Sequence, residues 1–199
     1  MRARLPSWAL AAVVVALAAF PAAAQKTTIE NLCLLHGMGG EENIAKVKAA
    51  YLDALHAGIS EDELFPFVED ILKHKLDCGQ MQRVLSSTTE LRRAGLPYFV
   101  VFSKVREGMA KEAPPALVVE AAESKVKTLF ASRDVLKSFR SKGYRVRDYQ
   151  NAAVIVSSYI EKGYRPDEVV SQISNKGIEG AGFGALRGVL EKPVKRKDR

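Results

Sequence analysis

One device recurs along this chain and dictates most of what it can fold into: a glycine, an apolar residue, then a residue that starts helices. It stands at Gly58-Ile59-Ser60, Gly95-Leu96-Pro97, Gly143-Tyr144-Arg145, Gly163-Tyr164-Arg165-Pro166 and Gly177-Ile178. Glycine suits the left-handed position just past a helix end because it has no Cβ. The apolar residue after it folds back on the finished helix or staples the next one. At the first instance Ser60 and Glu63 have capping-box spacing, with Ile59 and Leu64 at the stapling positions. Pro66 falls early in that helix, which moves its expected start toward Asp62 or Glu63.

Between these marks the apolar residues recur with a period near 3.6. Val47, Tyr51, Leu52 and Leu55 share a face, as do Phe67, Val68, Ile71 and Leu72. Val118, Ala121, Ala122, Lys125, Val126 and Leu129 continue the pattern after Pro114-Pro115. The spacing predicts helices over about 41–57, 61–75, 79–94, 97–112, 115–131, 133–142, 146–162 and 166–176, with a glycine-rich helix over about 179–191. The expected class is all-α. The marks at Gly58 and Gly95 are 37 residues apart, and Gly95 and Gly143 are 48 apart. That is the scale of stacked helical hairpins, a short irregular α-solenoid. The alternative is an irregular helical bundle.

The ends of the chain read differently. Residues 1–24 have the form of a secretory signal peptide: Arg2 and Arg4, an uncharged run from Trp8 to Phe20, then Pro21-Ala22-Ala23-Ala24 as an Ala-x-Ala cleavage site. The run is shorter than the ~20 apolar residues of a membrane-crossing helix. The expected location is therefore outside the cytoplasm, periplasmic or extracellular, with residues 25–190 as one helical domain and 191–199 as a basic tail. The formal charge of +7 falls to +5 without the signal, and Lys192–Arg199 carry +4 of that. The remaining body is nearly neutral, which argues against nucleic acid as a partner. The tail itself suits electrostatic contact with an anionic envelope surface.

Candidate chemistry is sparse. Cys33-x2-His36 and His74-x3-Cys78 supply two thiols and two imidazoles, the donor types of a tetrahedral zinc site. In an exported chain, however, two cysteines more often pair. A Cys33–Cys78 disulfide would close a loop of about 46 residues, contribute ~3–4 kcal/mol, and pin the segment Thr27–Gly40. The favoured expectation is thus a disulfide and no metal or other cofactor. Asp53 precedes His56 by three residues and Asp70 precedes His74 by four, a spacing that reads first as a solvated helical ion pair and only second as an oriented general base. Nucleophile-elbow, phosphate-loop, metalloprotease and calcium-loop motifs are missing from the sequence.

Gly180, Gly184 and Gly188 lie at i, i+4 and i+8, which on one helix would make a bare face for close backbone approach. The surrounding G-x-G-x-x-A string lacks the strand a dinucleotide site needs. Tyr144 and Tyr164, each in a Lys-Gly-Tyr-Arg string, read as structural staples. Together these features point to a non-enzymatic exported protein whose helical surface binds a protein or peptide. The alternatives are a small metal-binding envelope protein using the Cys2His2 set and a structural protein tethered through its tail.

Overall fold

At Gly58-Ile59, Gly95-Leu96, Gly143-Tyr144 and Gly163-Tyr164 the chain ends a helix, and one hydrogen-bond pattern does it. The computed structural model describes residues 28–180 and 182–191, so the signal-like segment 1–24 and the tail 192–199 lie outside the described residues. Among those described, the helices are α1 Ile29–Leu35, α2 Glu41–His56, α3 Glu61–Lys73, α4 Cys78–Arg93, α5 Phe99–Ala110, α6 Pro115–Ser141, α7 Tyr149–Glu161 and α8 Pro166–Gly180. Two short strands, β1 Arg145–Val146 and β2 Leu190–Glu191, and a 3-10 turn at Gly184–Gly188 complete the described chain. The fold is all-α.

The helix ends share a Schellman closure, in which the residue after a left-handed position donates its N–H five residues back. Ile59 reaches Ala54 at 3.1 Å, Leu96 reaches Leu91 at 2.9 Å, Tyr144 reaches Phe139 at 3.0 Å and Tyr164 reaches Tyr159 at 3.2 Å. Gly58 and Gly95 stand at φ 90° and 68°, and Ile59 and Leu96 behind them are sealed in the core. Two further ends use the same closure without glycine. Lys75 and Glu112 take φ 59° and 55°, while Leu76 and Ala113 donate to Ile71 and Gly108. A side chain in that region costs about 1–2 kcal/mol. Burial of Leu76 helps offset it.

Helix starts depart from the expectation in one place. Ser60 caps α3 by backbone geometry, but its hydroxyl makes no capping bond. Glu63, the expected partner, instead accepts a hydrogen bond from the Tyr98 hydroxyl at 2.6 Å. A capping box does form at Asp77 and Gln80: Asp77 accepts from the Gln80 N–H at 2.8 Å, and Gln80 accepts from the Asp77 N–H at 2.9 Å. Helix α3 begins at Glu61 and carries Pro66 inside it.

Alternate helices pack in a row. α2 lies on α4, α4 on α6 and α6 on α8, while α5 and α7 both lie along α6. That order is the stacking of helical hairpins, but the row is irregular because α6 runs 27 residues. The expected break near Ser132 does not occur. Val118, Ala122, Val126, Leu129, Ser132, Leu136 and Phe139 form an unbroken buried stripe at spacings of three and four. Ser132 satisfies its own hydroxyl by donating to the Leu129 carbonyl at 2.7 Å. The buried side chains form one cluster from Ile29 to Leu190.

The C-terminal segment is where the structure overturns the sequence reading most. Instead of a helix over 179–191, the backbone breaks at Gly177 (φ 73°, ψ 169°), turns again at Gly182 and closes with β2. Strand β2 pairs antiparallel with β1, Arg145 opposite Glu191 and Val146 opposite Leu190. Interior glycines cost a helix about 1 kcal/mol each. Burial of Phe183, Leu186, Val189 and Leu190 stabilises the turned conformation instead.

Candidate functional site

The four residues of the possible zinc set do not come together. Among the described residues no group of three or more histidine, cysteine or acidic side chains is placed to hold a metal ion. His74 is turned away to the α5–α6 connection, its Nε2 3.0 Å from the Ala113 carbonyl oxygen. His36 sits near Glu69, whose carboxyl is held low chiefly by its 2.7 Å ion pair with Lys73 and more weakly by the imidazole.

The expected Cys33–Cys78 disulfide is not formed; both thiols are free. Cys33, on the inner face of α1, is fully buried, whereas the Cys78 thiol is half-buried and donates to the Asn43 carbonyl at 3.3 Å. Burial raises both thiol pKa values, reinforced at Cys33 by Glu30 and opposed at Cys78 by Lys46. Protonated thiols are poor nucleophiles for exchange. Segment 28–40 therefore owes its place to other forces. Thr28 caps α1, Ile29 and Leu32 are buried, and Glu30 pairs with Lys48. Iodoacetamide is expected to modify Cys78 and spare Cys33 in the folded protein, and to modify both once it is unfolded. An intact mass short of two hydrogens would show the disulfide instead.

Neither aspartate–histidine spacing makes a pair. Asp53 is bound by Arg93 at 2.6 Å and Asp70 by Arg106 at 2.9 Å, each from a helix two positions along the chain. The three glycines share no helix face either: Gly180 ends α8, while Gly184 and Gly188 bound the 3-10 turn. A Cβ added at Gly184 or Gly188 would meet open space. Close approach occurs elsewhere, at Gly108, where a Cβ would stand 3.0 Å from a Val118 methyl that would have to give by a few tenths of an ångström. Tyr144 does act as a staple, edge-on to Phe139 at 5.4 Å, and Tyr164 packs likewise on Tyr159 and Phe183.

The close α5–α6 contact borders an open cleft of about 520 Å³, completed by α7. Val100, Ser103, Lys104 and Glu107 of α5 form one wall, Ala121, Ser124 and Lys125 of α6 the floor, and Glu161 of α7 the far edge. Its volume lies within the ~300–1,000 Å³ range of ligand pockets. Lys125 is its distinctive group, with a side chain only 11% exposed. The ammonium donates to Ser157 Oγ at 3.0 Å and lies 2.8 Å from Glu161. Thr128 braces the same carboxylate oxygen at 3.2 Å. An ammonium has three donors, so one N–H of Lys125 has no protein partner among the described residues. On the α5 wall, hydrogen bonds from Lys111 and Lys104 hold the Glu107 carboxyl down to about 2, keeping that wall zwitterionic. A shallower cleft of about 500 Å³ lies between α6 and α8, beside Val135, Ser138, Val170 and Ser171.

The sequence does carry a signal for Lys125: it is the one charged residue in the stripe Val118, Ala121, Ala122, Lys125, Val126, Leu129. A lysine in a buried stripe needs partners. Here they come from α7, 32 and 36 residues away.

No protein-family model, curated protein or solved structure matches the chain.

Proposed function

We propose that this chain is an exported, non-enzymatic binding protein that holds a segment of a partner protein in the α5–α6–α7 cleft. The observation that carries the reading is the cleft's lining. Apolar contact at Val100 on the wall and Ala121 on the floor is flanked by Lys125 with a donor to spare and by the fixed charges of Lys104, Glu107 and Glu161. Such a surface offers apolar contact and directional polar contact together, as peptide grooves do. A carboxylate of the bound segment would take the free N–H of Lys125, replacing water. The signal-like residues 1–24 support an encounter outside the cytoplasm.

A photo-crosslinking residue at Ser124, on the cleft floor, tests this in the living cell. The expected result is a discrete adduct with one partner, lost when Ala121→Trp fills the cleft and absent from a probe at exposed Gln150. No adduct at position 124, or equal adducts from both positions, overturns the reading.

A further inference from the structure

Helix α6 outruns the helix laid along it: α6 has 27 residues and α7 has 13. At one end of their contact Arg140 covers the Tyr149 ring at 4.7 Å. At the other Thr128 bonds Glu161, the last residue of α7. α7 therefore stops near Thr128, and the turns 115–124 of α6 run about 15 Å past it. Leu117, Ala121, Ser124 and Lys125 lie at i, i+4, i+7 and i+8, on one face of those turns. That face is the cleft floor with an apolar residue added at its outer end, since Leu117 is 54% exposed. The other helices packed on α6 leave the face open among the described residues. α5 walls one side, α4 meets α6 at Glu123 on another face, and α8 lies beside 134–142.

Two unspent polar groups stand where α7 ends. One N–H of Lys125 has no protein partner, as described above. Glu161 gives a single carboxylate oxygen to Lys125 and Thr128, and its second oxygen has no protein partner among the described residues. The carbonyl end of α7 adds a partial negative charge at the same point. A helix N-terminus has the complementary needs: its first N–H groups lack partners within the helix, and its positive end favours a carboxylate.

We propose that the occupant of the cleft is an amphipathic helix of the partner protein, seated on 117–124 as a continuation of α7, with its N-terminus at Glu161. This rests on the reading of the cleft as a site for a partner segment and names the form that segment takes. Glu161 accepts the helix's first N–H groups, Lys125 donates its spare N–H to an acid in the same first turn, and the apolar stripe lies on Leu117 and Ala121. An extended segment fits less well. Every residue lining the cleft belongs to a helix, so there is no strand edge to pair with its backbone, whereas a helix satisfies its own.

The test places the photo-crosslinking residue benzoylphenylalanine at position 117 in one chain and at position 124 in another, and locates each adduct in the partner by peptide mass spectrometry. The two positions are about 10 Å apart along α6. A helix should therefore be trapped at residues about seven apart, and an extended segment at residues about three apart. The adduct of position 124 should lie nearer the partner segment's N-terminus. With the probe at 124, Leu117→Glu should lower the adduct yield about tenfold at an unchanged melting temperature, because Leu117 is exposed. A spacing of three, the reverse order, or full yield from Leu117→Glu overturns the helix and leaves the cleft as a binding site. Adducts that join two copies of this chain overturn the choice of partner. No adduct at either position overturns both readings.

Discussion

Replacing Phe67 by alanine is expected to cost about 3–5 kcal/mol, the usual range for truncating a fully buried phenylalanine. Phe67 is completely shielded, and its ring stacks on Phe102 with centroids 3.9 Å apart. Tyr98 meets Phe102 edge-on at 5.7 Å, and the Arg106 guanidinium lies over Phe67 at 5.7 Å. The pair therefore ties α3 to α5, two helices with few other contacts. Alanine removes both the ring's transfer free energy and the stacking, and leaves a cavity that helices on either side are too constrained to close. For a domain of this size the melting temperature should fall by roughly 10 °C. Phe67→Leu, which keeps most of the volume, should cost less than half as much. Thermal and urea unfolding of the two variants measure the difference, and equal effects would show that volume is not the cause.

The second large effect is expected at Phe183. It is fully buried where α8 gives way to the C-terminal turn, and its N–H closes on Ile178 at 3.1 Å. Its ring meets Tyr159 at 4.6 Å and Tyr164 at 5.3 Å. Phe183→Ala should cost about 3 kcal/mol or more, and the loss should be local. The segment beyond it is held by a two-residue strand pair, the Arg147–Val189 backbone bond and the buried side chains of Leu186, Val189 and Leu190. Hydrogen exchange should show the amides of Arg147, Leu186 and Val189 losing protection while those within α2 and α4 keep theirs. Equal loss of protection in α2 and α4 would show that the C-terminal segment unfolds only with the whole molecule.

The two variants mark the two kinds of information in the chain. Helix boundaries were legible because a Schellman closure spans six residues, and its signals, glycine then an apolar residue, lie side by side. That is why 41–57 and 79–94 differ from α2 and α4 by no more than one residue at either end. Where the left-handed residue is Lys75 or Glu112, the local signal is missing, and only burial of the next residue and packing of the following helix impose the turn. The break expected at Ser132 is absent because the residue is buried in the continuous stripe of α6, which packing alone imposes.

The candidate site was less legible because the pairings that hold Lys125 in it, with Ser157 and Glu161, are distant along the chain. Glu63 could serve Ser60 or Tyr98, Asp53 could serve His56 or Arg93, and Asp70 could serve His74 or Arg106. In each case the partner 35 to 40 residues away holds it. These bonds join helices that the stacking brings side by side, and the choice is made by which side chains face each other there. Cys33 and Cys78 belong to the same case, since one thiol is sealed on the inner face of α1 and the other is taken by a carbonyl of α2.

By itself the sequence determined the helical class and where most helices stop, because those depend on backbone conformation and contacts within one turn. Only the tertiary structure decided that 115–141 is one helix, that the glycine-rich end folds back as a strand, and that Lys125 lines a cleft. It also set Arg145 of β1 opposite Glu191 of β2. Each of these rests on burial or pairing between segments far apart in the chain, where the free energy lies in the contact and neither segment carries it alone.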